Sequence, residues 1–203
     1  MTLTSTMRLR AIMHIKQKFD HLFDVISSPG FLNKEALGGE IPFFISTYKI
    51  EMGLEIDKAI KGLINKLETQ GVSILVLNLY DITCEILESK GGMDRMFRIE
   101  KTKSKAKFLR ALQSSINIHQ ILMPWIAKMI EDSDAKVYFI TGVGMVYPFI
   151  RSHNVLNNLQ NIAKDCPTLM FFPGEYDGHS LKLFSLLKDD NYYRAFNIEK
   201  VKI

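Results

Sequence analysis

Apolar side chains return every three or four positions near the N-terminus, at Leu9, Ile12, Ile15, Phe19, Leu22, Phe23 and Ile26. That period lines one face of an amphipathic helix over roughly 8–28, which Ser27-Ser28-Pro29-Gly30 ends. Residues 1–7 are polar and expected to fray, and residues 31–41, with Gly38-Gly39, form a loop. From Pro42 to Ser46 the pattern becomes a short apolar run, a first strand in which Pro42 suits only a strand start or an edge. Ile56, Ala59, Ile60, Leu63, Ile64 and Leu67 then mark a second helix over about 54–69, with Gly71 just past its end. Val72–Leu79 is almost unbroken aliphatic, which predicts a central parallel strand buried on both faces. The strand–helix–strand order implies a right-handed crossover.

Residues 81–89 predict a short helix broken by Gly91-Gly92, and the charged stretch 88–107 reads as a surface excursion. Phe108, Leu109, Leu112, Ile116, His119 and Leu122 predict a helix over about 104–123, with Pro124 starting or kinking its continuation through Ile130. Val137–Ile140 is a third strand that turns at Thr141-Gly142-Val143-Gly144. A helical pattern follows from near Pro148, with Phe149, Ile150, Val155, Leu156 and Leu159. Thr168–Phe172 forms a fourth strand, Pro173–Gly178 a loop, and residues 191–198 a fifth strand of alternating character. The expected fold is one α/β domain over 1–203: an open, mostly parallel sheet of about five strands with helices on both faces. It comprises a helical N-terminal extension over 1–40 and an α/β core over 41–203.

Charge and cysteine content narrow the picture only slightly. A net charge of +4 and a pI near 8.9 do not diagnose nucleic-acid binding, because the distribution of charge matters more than its sum. Cys84 and Cys166 share no metal-ligand spacing, which fits a reduced, cytoplasmic setting. No signal-peptide pattern and no run of 18 apolar residues occur, so no membrane partner is expected.

Candidate chemistry gathers after the third and fourth strands, because ligands of open α/β sheets sit beyond the carboxyl ends of strands. Thr141, Gly142 and Gly144 offer backbone amides that can hold an anion, or a tight turn that lets other elements pack closely. The dinucleotide fingerprint is incomplete, since Tyr147 stands where its third glycine belongs, and no Gly-Lys-Ser/Thr phosphate loop exists. The sheet therefore resembles a nucleotide-binding fold without its phosphate loop. Arg151 can pair with a phosphate or a partner carboxylate, and His153 can act as acid or base, while Ser152 and Asn154 can simply cap the helix. Glu175, Asp177 and His179 alternate beside Gly174 and Gly178, as in a metal or acid–base site or as in ordinary turn chemistry. Asp81 serves as a helix N-cap without any ligand. Lys101, Lys103, Lys105, Lys107 and Arg110 form the dense basic run, either a solvated face or contacts to DNA or RNA phosphates. Phe43, Phe44, Tyr138, Phe139, Phe171 and Phe172 read as core.

Three segments carry a family resemblance. They are Leu79-Tyr80-Asp81-Ile82; Thr141 to Gly144 with Tyr147-Pro148-Phe149-Ile150-Arg151-Ser152-His153 and Leu156-Asn157-Asn158-Leu159; and Phe172-Pro173-Gly174-Glu175-Tyr176 with Leu181 to Phe184 and Asp189 to Phe196. From about residue 40 to the C-terminus the chain resembles the BrxB family, small accessory proteins of BREX bacteriophage-exclusion systems. Such systems pair a DNA methyltransferase that marks the host genome with a large ATPase and a phosphatase-superfamily protein, PglZ. The resemblance implies a non-catalytic scaffold within that assembly, with other BREX proteins as partners and the PglZ-type protein as the direct one. It brings no catalytic residue, no metal and no cofactor. The alternatives from the residues themselves are a nucleic-acid-binding subunit of the same system, and a small nucleotide-binding protein or hydrolase using the strand-end cluster. The scaffold reading predicts an exposed apolar or aromatic patch on the N-terminal helix or around Tyr192 and Tyr193.

Overall fold

Successive residues of a strand point to opposite faces of its sheet, and here both faces are covered. Phe43, Ile45, Tyr138, Ile140, Met170 and Phe172 enter one apolar cluster, while the alternating Phe44, Val137, Phe139, Leu169 and Phe171 enter a second. The computed structural model describes residues 5–34, 43–188 and 193–202. The expected Gly38-Gly39 loop, the Pro42 strand start and Tyr192 lie outside them.

The described elements are, in order, α1 (Ser5–Ser27), α2 (Pro29–Leu32), β1 (Phe43–Tyr48), α3 (Gly53–Thr69), β2 (Ile74–Asn78), α4 (Leu79–Ser89), α5 (Met93–Thr102), α6 (Lys105–Ser115), a π-helical turn (Ile118–Leu122), α7 (Met123–Glu131), β3 (Val137–Thr141), α8 (Ser152–Ile162), β4 (Thr168–Tyr176), β5 (Leu181–Leu183), β6 (Leu187–Lys188) and β7 (Phe196–Asn197). Two 3₁₀ turns complete them, Ile50–Met52 before α3 and Ile198–Lys200 after β7. The sheet runs β2-β3-β4-β1-β7 with every neighbouring pair parallel, and β5 and β6 extend β4 as an antiparallel flap. The α/β class, the mostly parallel sheet and the helices on both faces agree with the sequence pattern.

One face is covered by α1 and α3, the other by α4 to α8. Phe19, Leu22, Val25 and Ile26 of α1 and Ile56, Ile60, Leu63 and Leu67 of α3 make the first helical layer, joined by Ile198. Leu22 and Ile26 are fully buried, so α1 is part of this layer and its removal would open the core. Lys18 anchors the helix: its ammonium pairs with Glu199 at 2.6 Å and donates to the Thr47 carbonyl at the end of β1.

Several boundaries differ from the sequence pattern. The aliphatic run after α3 forms β2 at the edge of the sheet instead of its centre, and of its five residues only Leu77 is buried. Its apolar character reflects helices on both sides, α3 on one and α4 on the other, which a central strand and a covered edge strand share. The charged stretch 88–107 contains helix α5, whose inward positions Met93, Met96 and Ile99 recur every three residues among charges. The helix expected over 104–123 is broken: α6 stops at Ser115, and Asn117 caps the π-helical turn by accepting from the Gln120 amide at 3.0 Å. The loop expected at Pro173 is a continuation of β4 through Tyr176, because Gly174, Glu175 and Tyr176 pair with β5. In the last expected strand, the described part of the ladder is limited to Phe196 and Asn197 beside β1.

Candidate functional site

Asn78 at the carboxyl end of β2 and Pro173 of β4 meet the turn after β3, and the glycines there are filled from within the chain. Gly142 has φ +71°, and a Cβ on it would run into Oδ1 of Asn78. That same oxygen accepts from the Tyr80 amide at 3.0 Å and the Asp81 amide at 3.4 Å, which makes Asn78 the N-cap of α4. Asp81, expected as that cap, instead occupies the first turn, because the strand ends earlier and the helix begins at Leu79. A Cβ on Gly144 would come within 2.8 Å of the Phe184 ring and 2.9 Å of Pro173. Phe184 sits at φ 56° on the flap, and its amide donates to the Pro173 carbonyl at 2.8 Å. The strand–turn–helix signal thus seats a cap, a proline and an aromatic ring around the glycine backbone.

The helix after the turn begins later than the pattern implied. Phe149 and Ile150 lie in the turn region, the Tyr147–Pro148 peptide is cis, and α8 starts at Ser152. Arg151 is the N-cap residue and no side chain caps the helix, so neither Ser152 nor Asn154 takes that role. Asn154 gives its carbonyl to the Asn158 side chain at 2.6 Å.

A cavity of about 280 Å³ opens between this turn and the flap. Val143, Tyr147, Phe172, Leu181 and Leu183 make its apolar wall, and Arg151, Ser152 and Lys188 bring polar groups to it. His153, Glu175, Asp177 and His179 are not among its lining residues. Glu175 faces Lys182 across the β4–β5 ladder at 3.8 Å. Asp177 closes the hairpin: Oδ1 accepts from the His179 amide at 2.8 Å and the Ser180 amide at 2.6 Å, and Oδ2 from the Ser180 hydroxyl at 2.9 Å. The Ser180 amide, then the His179 amide and the Ser180 hydroxyl, hold the Asp177 carboxyl down at about 2. The His179 carbonyl accepts from the Tyr193 amide at 2.9 Å, which ties the turn to the C-terminal segment. Among the described residues no three His, Cys, Asp or Glu side chains come together as a metal-holding group. The arrangement therefore supports turn and ladder chemistry at Glu175 and Asp177, while Arg151 and Lys188 face this cavity.

Tyr48 at the end of β1 and Tyr138 near the start of β3 are both shifted. Burial, and then the nearby Asp57, push Tyr48 up to about 12, and burial with Cys166 beside it raises Tyr138 well beyond the ordinary phenol range. Both remain neutral donors at physiological pH. The basic run is wholly on the surface: Lys101, Lys103, Lys105, Lys107 and Arg110 are all exposed, on α5, on α6 and between them.

The larger concavity lies on the opposite layer. A groove of about 590 Å³ runs between α1 and α3, with Ile12, Ile15, Phe19, Ala59, Gly62 and Leu63 along it. The periodicity of α1 showed a buried face but not this second contact line. The signal available in the sequence was Gly62, a glycine in the interior of a strongly amphipathic helix.

The sequence model of the BrxB family, described as BREX protein BrxB, matches residues 75–198. A Bacillus cereus (strain H3081.97) protein named BREX protein BrxB is 34% identical over 188 residues, covering 91% of this chain and 97% of the relative. The chain belongs to the BrxB family. A second BREX protein BrxB, from Escherichia coli O9:H4 (strain HS), is 29% identical over 173 residues, covering 85% of this chain and 86% of its own length. No solved structure gives a significant match. The BrxB family match spans β2 to β7, and the longer alignment to the Bacillus protein takes in most of the α1–α3 segment as well. As a BrxB-family protein the chain is a component of a BREX system. Among the described residues no helix is long and apolar enough to cross a membrane.

Proposed function

We propose that this chain is a non-catalytic scaffold of its BREX complex, supporting host DNA methylation and phage exclusion by binding the phosphatase-superfamily component, the PglZ-type protein. The observation that carries the reading is the α1–α3 groove. Gly62 lies inside α3, where glycine costs about 1 kcal/mol relative to alanine. No atom lies within 4 Å of a Cβ built on it, so packing within the chain does not require glycine there. Ala59 and Gly62 instead leave a shallow floor that lets a partner helix approach to the ~8–10 Å of close helix packing. Ile12 is 44% exposed and Met13 63% exposed on α1, an apolar edge with no covering element among the described residues. At the rim Lys66 pairs with Asp20 at 3.3 Å, which leaves Lys16 and Lys58 against Glu55, a positive excess that suits an amphipathic partner helix with acidic flanks.

The test is co-purification of the full chain with its cognate PglZ-type protein, followed by size-exclusion chromatography with light scattering. Wild type is expected to co-elute stoichiometrically, Gly62→Glu to lose at least tenfold in affinity, and Gly62→Ala to keep binding while melting higher. A wild-type chain that elutes alone rejects the partner. Undiminished co-elution of Gly62→Glu rejects the groove as the docking surface.

A further inference from the structure

The net charge of the chain is concentrated on one helical hairpin. From Met93 to Ser115, across α5 and α6, there are seven Lys and Arg and two Asp and Glu, a net of +5 against +4 for the whole protein. The rest of the chain, with 19 basic and 20 acidic residues, nets −1. All seven basic side chains of the hairpin, Arg95, Arg98, Lys101, Lys103, Lys105, Lys107 and Arg110, are exposed. Among the described residues none of them makes an ion pair, although Asp94 and Glu100 lie on the same hairpin. Among the described residues, the one hydrogen bond that these basic side chains make is donated by Arg95 Nη1 to the Lys90 carbonyl at 3.4 Å.

The hairpin is attached by a thin apolar seam. Met96 is its one buried side chain, with Met93, Ile99, Phe108 and Leu112 half-buried against the core. Lys107 and Arg110 lie three apart on α6, on the side opposite Phe108 and Leu112, so they project away from the body. Like charges crowded without counter-charges repel one another, and their natural complement is a regular array of anions. A membrane surface fits poorly, because Phe97 is the hairpin's only large apolar side chain exposed by more than a third. Base-specific reading in single strands also fits poorly, since one exposed aromatic is no stacking ladder.

We infer that the α5–α6 hairpin binds the phosphate backbone of duplex DNA without sequence preference. This surface is separate from the α1–α3 groove, and the inference holds whether or not that groove docks a partner. Contact with about five phosphates gives a slope of log affinity against log salt of about −4.5, or about a 500-fold loss between 50 and 200 mM salt.

The experiment is fluorescence anisotropy of the full chain with a labelled 30-bp duplex of mixed sequence, titrated from 25 to 300 mM salt. Replacing three lysines together, Lys103→Gln, Lys105→Gln and Lys107→Gln, is expected to flatten the slope by about 2.7 and weaken binding at least tenfold at 50 mM salt. All three are exposed, so the melting temperature should stay within a few degrees of wild type. Changing two exposed lysines elsewhere, Lys61→Gln and Lys164→Gln, should leave the slope within one unit of wild type. No binding by wild type at 25 mM salt overturns the inference. So does an equal loss in the two variants, or binding to vesicles rich in anionic lipid with none to the duplex.

Discussion

Replacing Gly142 with alanine, alone and together with Asn78→Ala, tests whether the glycine turn is a packing device. Gly142 holds φ +71°, a left-handed conformation that costs an L-residue about 1–2 kcal/mol. The new methyl would also strike the Asn78 side-chain oxygen, an overpacking term of about 1–3 kcal/mol. The single variant should therefore lose about 2–5 kcal/mol. Asn78→Ala removes the cap that accepts from the Tyr80 and Asp81 amides, worth about 1 kcal/mol. In the double variant the clash with Oδ1 is gone, and the left-handed strain and lost cap remain, about 2–3 kcal/mol together. The two losses should thus fall short of additivity by about 1–3 kcal/mol. Urea denaturation of the four proteins, with the transition slope checked for constancy, measures this coupling. Additivity within about 0.5 kcal/mol would falsify the packing account, because two residues in contact through one atom cannot act independently.

Acid should loosen the β4–β5 hairpin in a defined window. The Asp177 carboxyl titrates lower in the folded chain, at about 2, than its ordinary 3.8, so its contribution is complete above pH 4 and fades as pH falls toward 2. Carbon-detected NMR of the carboxylates should place its midpoint near 2, and in Asp177→Asn the added acid sensitivity between pH 4 and 2 should disappear; a midpoint near 4 contradicts the three-donor turn. Thr83 is 2% exposed on α4, and its hydroxyl has no partner among the described residues. Thr83→Val keeps the shape and removes a buried unsatisfied oxygen, so thermal unfolding should show a gain of about 1 kcal/mol, and a loss of that size would mean the hydroxyl is bonded.

The hydrophobic periods carried most of the architecture. The α1 and α3 stripes, the aliphatic β2, and the β-branched and aromatic β3 were legible because burial demands the same residue types whatever surrounds them. Breaks that depend on a single polar contact were hidden. Nothing in the local pattern distinguishes Asn78 from Asp81 as a cap, or reveals that Asn117 starts a separate turn inside an otherwise continuous helical period. Proline and glycine at 173–174 suggested a loop, yet the backbone there stays extended because β5 returns from later in the chain to pair with it.

The candidate residues divide in the same way. Their chemistry could be named from the sequence: an arginine and a histidine after a glycine turn, three alternating ligand types, a basic run. Their company could not, because the β5–β6 flap brings Phe184 and Lys188 to the turn region, while Asp177 spends its oxygens on its own hairpin. The sequence by itself determined an α/β layer structure covered on both faces and a membership in the BrxB family, because burial patterns and family motifs are written in residue types. Tertiary structure alone decided strand order, the filling of the glycine turn, the groove beside Gly62 and the isolation of positive charge on α5 and α6. Each of those depends on which distant segments share a neighbourhood, and a one-dimensional pattern of residue types does not encode that.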